Sequence, residues 1–76
     1  MINPERELVS DNTYRVIEIV GTSTVSIDDA ILNAVNRAAQ TLHNLDWFET
    51  TTIRGHIADG KVGHFQVQLK VGFKLD

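Results

Sequence analysis

Residues 65–75, Phe65-Gln66-Val67-Gln68-Leu69-Lys70-Val71-Gly72-Phe73-Lys74-Leu75, alternate apolar and polar side chains without a break. Successive side chains of an extended strand point to opposite faces. Phe65, Val67, Leu69, Val71, Phe73 and Leu75 therefore form a buried face, and Gln66, Gln68, Lys70, Gly72 and Lys74 a polar one. Just upstream, Asp59-Gly60 is the signal of a tight hairpin turn. Before the turn, residues 47–57 (WFETTTIRGHI) are dominated by aromatic and β-branched residues and form the partner strand, with Gly55 as the candidate bulge.

Further toward the N-terminus, Ile27, Ile31, Ala34, Val35, Ala38, Leu42 and Leu45 recur at steps of three and four, the stripe of an amphipathic helix of about five turns. Ser26 is placed as its N-cap, with Asp29 three residues on and Asp28 beside it at the positive end of the helix dipole. Asn44, which tolerates left-handed backbone, is placed to end it. Residues 13–21 (TYRVIEIVG) form a first strand, followed by a turn over residues 21–24. Ile17 and Ile19 fall on one face of that strand and Val16, Glu18 and Val20 on the other, so both faces are expected to be covered, with Glu18 in need of a partner. The order is β-α-β-β, an α+β fold in which the crossover can set the first strand parallel to one neighbour while the last two pair as an antiparallel hairpin. Residues 1–12 mix charges and a proline without a period and are expected to be a flexible leader; residues 13–76 make a single domain.

Composition narrows the function. The chain has 76 residues, 42% hydrophobic and 22% charged, with ten acidic against seven basic residues and a net charge of −3. No run of like charge exists, which argues against binding along a phosphate backbone. The absence of cysteine excludes disulfides, thiolate metal sites and a cysteine nucleophile. No apolar run is long enough for a membrane-spanning helix, and the N-terminal MINPERELVS is too polar for a secretory signal, so a cytoplasmic location is expected. A chain this short buries only a modest share of its surface, and one helix covers one face of a sheet that also has two edges. Association with copies of itself is the expected remedy.

His43 lies on the polar helix face, whereas His56 and His64 flank the hairpin turn and could approach each other. Without a third ligand no metal site is expected there. No nucleophile-base arrangement or phosphate loop is present, so no catalytic residues are assigned. Trp47, the single tryptophan, is followed by Phe48, and alternation sends their rings to opposite faces, so one ring faces away from the helix. Arg54 on the same strand, with Gln66 and Lys74 on the polar face of the next, supplies an amide and two cations. A flat ring for stacking, an amide for a heterocycle edge and cations for an anion together suit a planar, anionic, aromatic ligand.

The segments YRVIEIVGTS (14–23), LDWFE (45–49), IRGHI (53–57) and FQVQLKVGFKL (65–75), with the helix between the first two, resemble the dodecin family in order and spacing. The resemblance implies an antiparallel sheet wrapped around one helix and assembly of twelve copies into a hollow homododecamer. It implies a flavoprotein without catalytic turnover that binds flavins in pairs between tryptophans at subunit interfaces, for storage, sequestration and photoprotection. By the same resemblance Trp47 stacks on the ring, Gln66 bonds its pyrimidine edge, and Arg54 and Lys74 lie near the phosphate of FMN. Members often have arginine where this chain has Lys74, and lysine holds phosphate only as a point charge, so riboflavin stands as the alternative guest. Some bacterial members also bind coenzyme A, with no residue assigned to it here. Two competing readings are a structural oligomer with Trp47 as an interface anchor and a small flavin-dependent oxidoreductase.

Overall fold

The computed structural model describes residues 11–75. The expected leader therefore lies outside the described residues except for Asp11 and Asn12. Strand β1 (Tyr14–Ser23) leads into helix α1 (Ile27–Ala39), which is followed by strands β2 (Leu45–Ala58) and β3 (Lys61–Lys74). The sheet order is β1-β3-β2, and both pairings are antiparallel. No parallel neighbours form: β1 and β2 run the same way, but the long alternating strand β3 separates them. The hairpin turn is as expected. Asp59 and Gly60 both take positive φ, 52° and 73°, the conformation that lets a two-residue turn follow the twist of its strands.

One face of the sheet carries α1. Ile17, Ile19 and Gly21 of β1 pair with Val71, Leu69 and Val67 of β3, and the helix lies across these two strands. Val67, Leu69 and Val71 are almost completely buried, together with Ala30 and Ala34 of α1. The line of closest approach is Ala30-Ala34-Ala38, and the larger Ile27, Ile31 and Val35 flank it half-buried. Small residues at the centre let the helix axis come close. Gly21 extends the same fit, because a Cβ there would lie 2.7 Å from the Ala34 Cβ and against the Ala30 carbonyl.

Several boundaries differ from the sequence reading. Residues 21–23 are strand, because pairing continues through Gly21–Val67, Thr22–Gln66 and Ser23–Phe65. The turn begins afterwards, and buried Ser23 organises it. Its hydroxyl accepts from the amides of Val25 and Ser26 at 2.9 and 3.3 Å and donates to Asp29 Oδ2 at 2.7 Å. Ser26 is the N-cap, accepting from the Asp29 amide at 3.0 Å. The helix has 13 residues rather than five turns. The Thr41 and Leu42 amides still reach the Ala38 carbonyl, but Leu45 belongs to β2, where it pairs with Phe73. Asn44 is left-handed, φ 62°, yet it turns the chain into β2 rather than ending the helix, and its carbonyl accepts from the Lys74 amide at 3.0 Å. Gly55 pairs regularly with Phe65; the irregularities lie at Leu45/Trp47, Thr50/Thr52 and His56/Ile57. The outer face of β1 is not covered by this chain: Val16 and Val20 are 46% and 56% exposed.

Candidate functional site

The bulge at the start of β2 decides where the tryptophan points. Leu45 pairs with Phe73 on the helix side, Asp46 is the extra residue, and Trp47 pairs with Gly72 on the outer side. In a regular strand Leu45 and Trp47 would share a face; the inserted residue separates them. Phe48 then pairs with Val71 and points back toward the helix side. The two adjacent rings do take opposite faces, and the tryptophan is the outward one.

Gly72 makes that orientation possible. It is buried, and a Cβ at this position would fall within the indole of Trp47. The indole therefore lies across the sheet backbone and remains 39% exposed. Tyr14, at the start of β1, packs beside it with ring centroids 6.2 Å apart and planes inclined at 60°. The Tyr14 hydroxyl donates to Asp46 Oδ2 at 2.8 Å, which ties the bulge residue to the opposite edge of the sheet. This bond to a carboxylate raises the phenol's pKa above its ordinary value near 10. Tyr14, Asp46 and Gly72 carry no role in the sequence reading. The available signal for Tyr14 and Gly72 was their common outer-face parity with Val16 and Lys74; the bulge at Asp46 had none.

Toward the hairpin the outer face is polar. Arg54 pairs with Gln66, and Arg54 Nη2 lies 3.5 Å from Gln68 Oε1. Gln68 in turn donates to Glu18 Oε2 at 2.6 Å, so the carboxylate of β1 has its partner and the three strands are linked side chain to side chain. Gln66 Nε2 stands 3.1 Å from His64 Nε2. His56 and His64 are register partners whose rings stack with centroids 5.2 Å apart and planes within 19°. Among the described residues no group of three His, Cys, Asp or Glu is placed to hold a metal.

All four candidate residues thus stand on one face, but not at one point. Trp47 and Lys74 lie at the end of the sheet near Tyr14, and Arg54 and Gln66 lie toward the hairpin. From Gly72 to Gln66 is six residues of β3, roughly 20 Å at about 3.3 Å per residue. That exceeds the length of a three-ring heterocycle. A small apolar pocket of about 120 Å³ opens between α1 and the start of β2, lined by Val35, Leu45, Asp46, Trp47, Phe48 and Val71. Among the described residues no helix is long and apolar enough to cross a membrane.

The Dodecin family model matches residues 13–76. The chain is 48% identical over 63 residues to the dodecin of Thermus thermophilus, covering 83% of this chain and 91% of that protein. The structure of dodecin from Streptomyces davaonensis superposes with a TM-score of 0.84 at 60% identity, covering 88% of this chain and 98% of that one. A T. thermophilus dodecin variant with one tryptophan replaced by phenylalanine superposes with a TM-score of 0.81 at 45% identity over 86% of this chain and 97% of its own. Two further variants of that protein replace one arginine each by alanine. With the β-α-β-β order, the all-antiparallel sheet and the family match extending over every element, the chain belongs to the dodecin family.

Proposed function

We propose that the outer face of the sheet binds flavins, stacking them on Trp47 in niches completed by other copies of the chain, and that the protein stores and sequesters them without catalysing their turnover. The observation that carries this reading is the indole itself: flat against Gly72, held by Tyr14 and open to the outside. An aromatic pair contributes about 0.5–1.5 kcal/mol beyond area burial, and enclosure between subunits adds the hydrophobic gain of the buried rings. Gln66 offers donor and acceptor to a pyrimidine edge, and Arg54 and Lys74 offer positive charge to a phosphate. The residues present fit such a guest.

Two facts support the assembly. The open face of Trp47 leaves a second wall for a neighbour to supply, and exposed Phe48 and Ile53 on the helix-side face of β2 offer apolar surface for one. The homododecamer, in a cytoplasmic setting, is the assembly this reading takes. A further support is spacing. In the T. thermophilus variants the replaced tryptophan precedes the first replaced arginine by seven residues, and the second follows twenty later. Trp47, Arg54 and Lys74 repeat both intervals.

A bound flavin supplies a light-absorbing, redox-active ring. The chain's own part is to hold that ring, exclude water from it and place an electron-rich indole against it, which quenches its excited state. FMN is the guest expected first, riboflavin second, and coenzyme A a separate ligand without assigned residues. Titration of FMN with the protein tests the proposal. Flavin emission is expected to be quenched by the parent, and Trp47→Ala is expected to bind at least about tenfold more weakly, on the scale of a lost stacking contact. Equal binding by Trp47→Ala would refute the stacking role.

A further inference from the structure

We propose that His64 is a positioning residue for Gln66: its imidazole sets which end of the amide faces the ligand, and protonation of the ring reverses that setting. The proposal rests on the flavin reading and extends it to regulation of the same site. His64 and Gln66 are two residues apart on β3 and so share the outer face. The nitrogen of the Gln66 amide stands 3.1 Å from His64 Nε2. An amide nitrogen only donates, so the imidazole nitrogen must accept, which places the ring proton on Nδ1. In this state the amide spends one N–H on His64. Its oxygen and its second N–H remain for a guest, one acceptor and one donor. The edge of a pyrimidinedione, with an N–H between two carbonyls, needs that combination.

Protonation puts a hydrogen on Nε2. Two donors would then face each other, and the contact survives only if the amide turns over so that Oε1 accepts from the imidazolium. The amide would then present its N–H and its oxygen to the guest in the opposite order, with one lone pair of Oε1 held by the imidazolium, and the bond from the guest's own N–H would lose its place. The surroundings leave the amide few other partners. On β2 the groups facing this point are the His56 ring, stacked on His64, and Arg54, opposite Gln66. On the β1 side, Thr22, Ser23 and Thr24 line a pocket of about 240 Å³ together with His64. The charged residues at the start of α1 lie beyond the sheet, where Asp29 is engaged by Ser23 and Ser26. Among the described residues no carboxylate contact to His64 competes with Gln66.

Riboflavin is the probe for the test, since it lacks the phosphate whose attraction to an imidazolium would mask the effect. Its affinity is measured by fluorescence quenching near pH 7.5 and near pH 5. The parent is expected to bind about fivefold more weakly at the lower pH, the size of one hydrogen bond. His64→Asn and His64→Gln, which cannot take up a proton, are each expected to hold their affinity constant within about twofold. His56→Asn is expected to keep the parent's fall. A fall that persists in both His64 variants, or that vanishes on replacing His56 alone, overturns the proposal, as does a parent without pH dependence. No binding of either riboflavin or FMN at either pH instead refutes the flavin reading. Nitrogen NMR of the ligand-free protein supplies a readout independent of binding: the Nδ1–H tautomer of His64 is expected at neutral pH, and the Nε2–H tautomer overturns the assignment.

Discussion

Gly21 and Gly72 sit on opposite faces of the same sheet, and in neither does a positive φ explain the glycine. Gly21 faces α1, and the atoms that would meet its missing side chain are the helix carbonyl of Ala30 and the Cβ of Ala34. Gly72 faces outward, and the atoms in its way belong to the indole of Trp47. One glycine admits a backbone, the other an aromatic ring. The consequence differs accordingly. On the helix side the chain completes its own contact, with Val67, Leu69 and Val71 buried beneath α1. On the outer side the ring that fills the space keeps 39% of its surface open, on the same face as exposed Val16 and Val20. The inner face is closed by this chain over β1 and β3, while Phe48 and Ile53 of β2 stay exposed there; the outer face presents apolar surface around Trp47 that only another molecule can cover.

This contrast can be broken at either end. The largest effect is expected from Gly21→Val. The obstacle is helix backbone, which cannot swing aside, so the cost should reach at least about 3 kcal/mol, the upper end of ordinary overpacking. Denaturant unfolding measures it, and a change under about 1 kcal/mol would show that α1 does not need this approach. Gly72→Val is expected to be milder, about 1–2 kcal/mol, because the half-exposed indole can swing outward. Its main effect should be on the ligand: near-native circular dichroism with FMN quenching lost. Retained quenching would separate the glycine from the pose of the tryptophan.

The smallest effect concerns Tyr14, which anchors the outer cluster through Asp46. Its phenol titrates above the usual value near 10 because it donates to that carboxylate. A raised folded-state pKa means that the neutral phenol's contribution to stability is fully present below about pH 10 and is lost as pH rises through the higher folded value. Ultraviolet absorbance titration of the parent against Asp46→Asn checks this. The replacement should bring the phenol back toward its ordinary range, and an unchanged titration would remove Asp46 as the cause.

What the sequence revealed and what it hid follow the same division. The alternation of residues 65–74 assigns each side chain to its face, since a period of two fixes a face as soon as one residue is known to be buried, but Leu75, expected on the buried face, lies past the end of β3 and is 48% exposed. Ser26 as N-cap and the turn at Asp59-Gly60 were legible because each depends on a few adjacent residues. The strand order was not, since whether β1 adds to β2 or β3 depends on distant pairing that no local signal records. The helix was read too long because Leu42 and Leu45 continue its stripe by chance of spacing while serving the turn and β2. At the site, the opposed rings of Trp47 and Phe48 could be expected from parity. Which of the two faces outward depended on the bulge at Asp46, and the contact between Gln66 and His64 depended on side-chain rotation.

Mass spectrometry under native conditions, with FMN present, reaches the central claim most directly, because it weighs subunits and ligands in one particle. A niche built from several copies predicts a single large assembly, twelve chains with one flavin per chain, and, at an FMN concentration that just fills the parent, a Trp47→Ala assembly of the same subunit number with most of its flavin missing. Flavin carried by isolated single chains, or a Trp47→Ala particle that keeps its full flavin load, would contradict it.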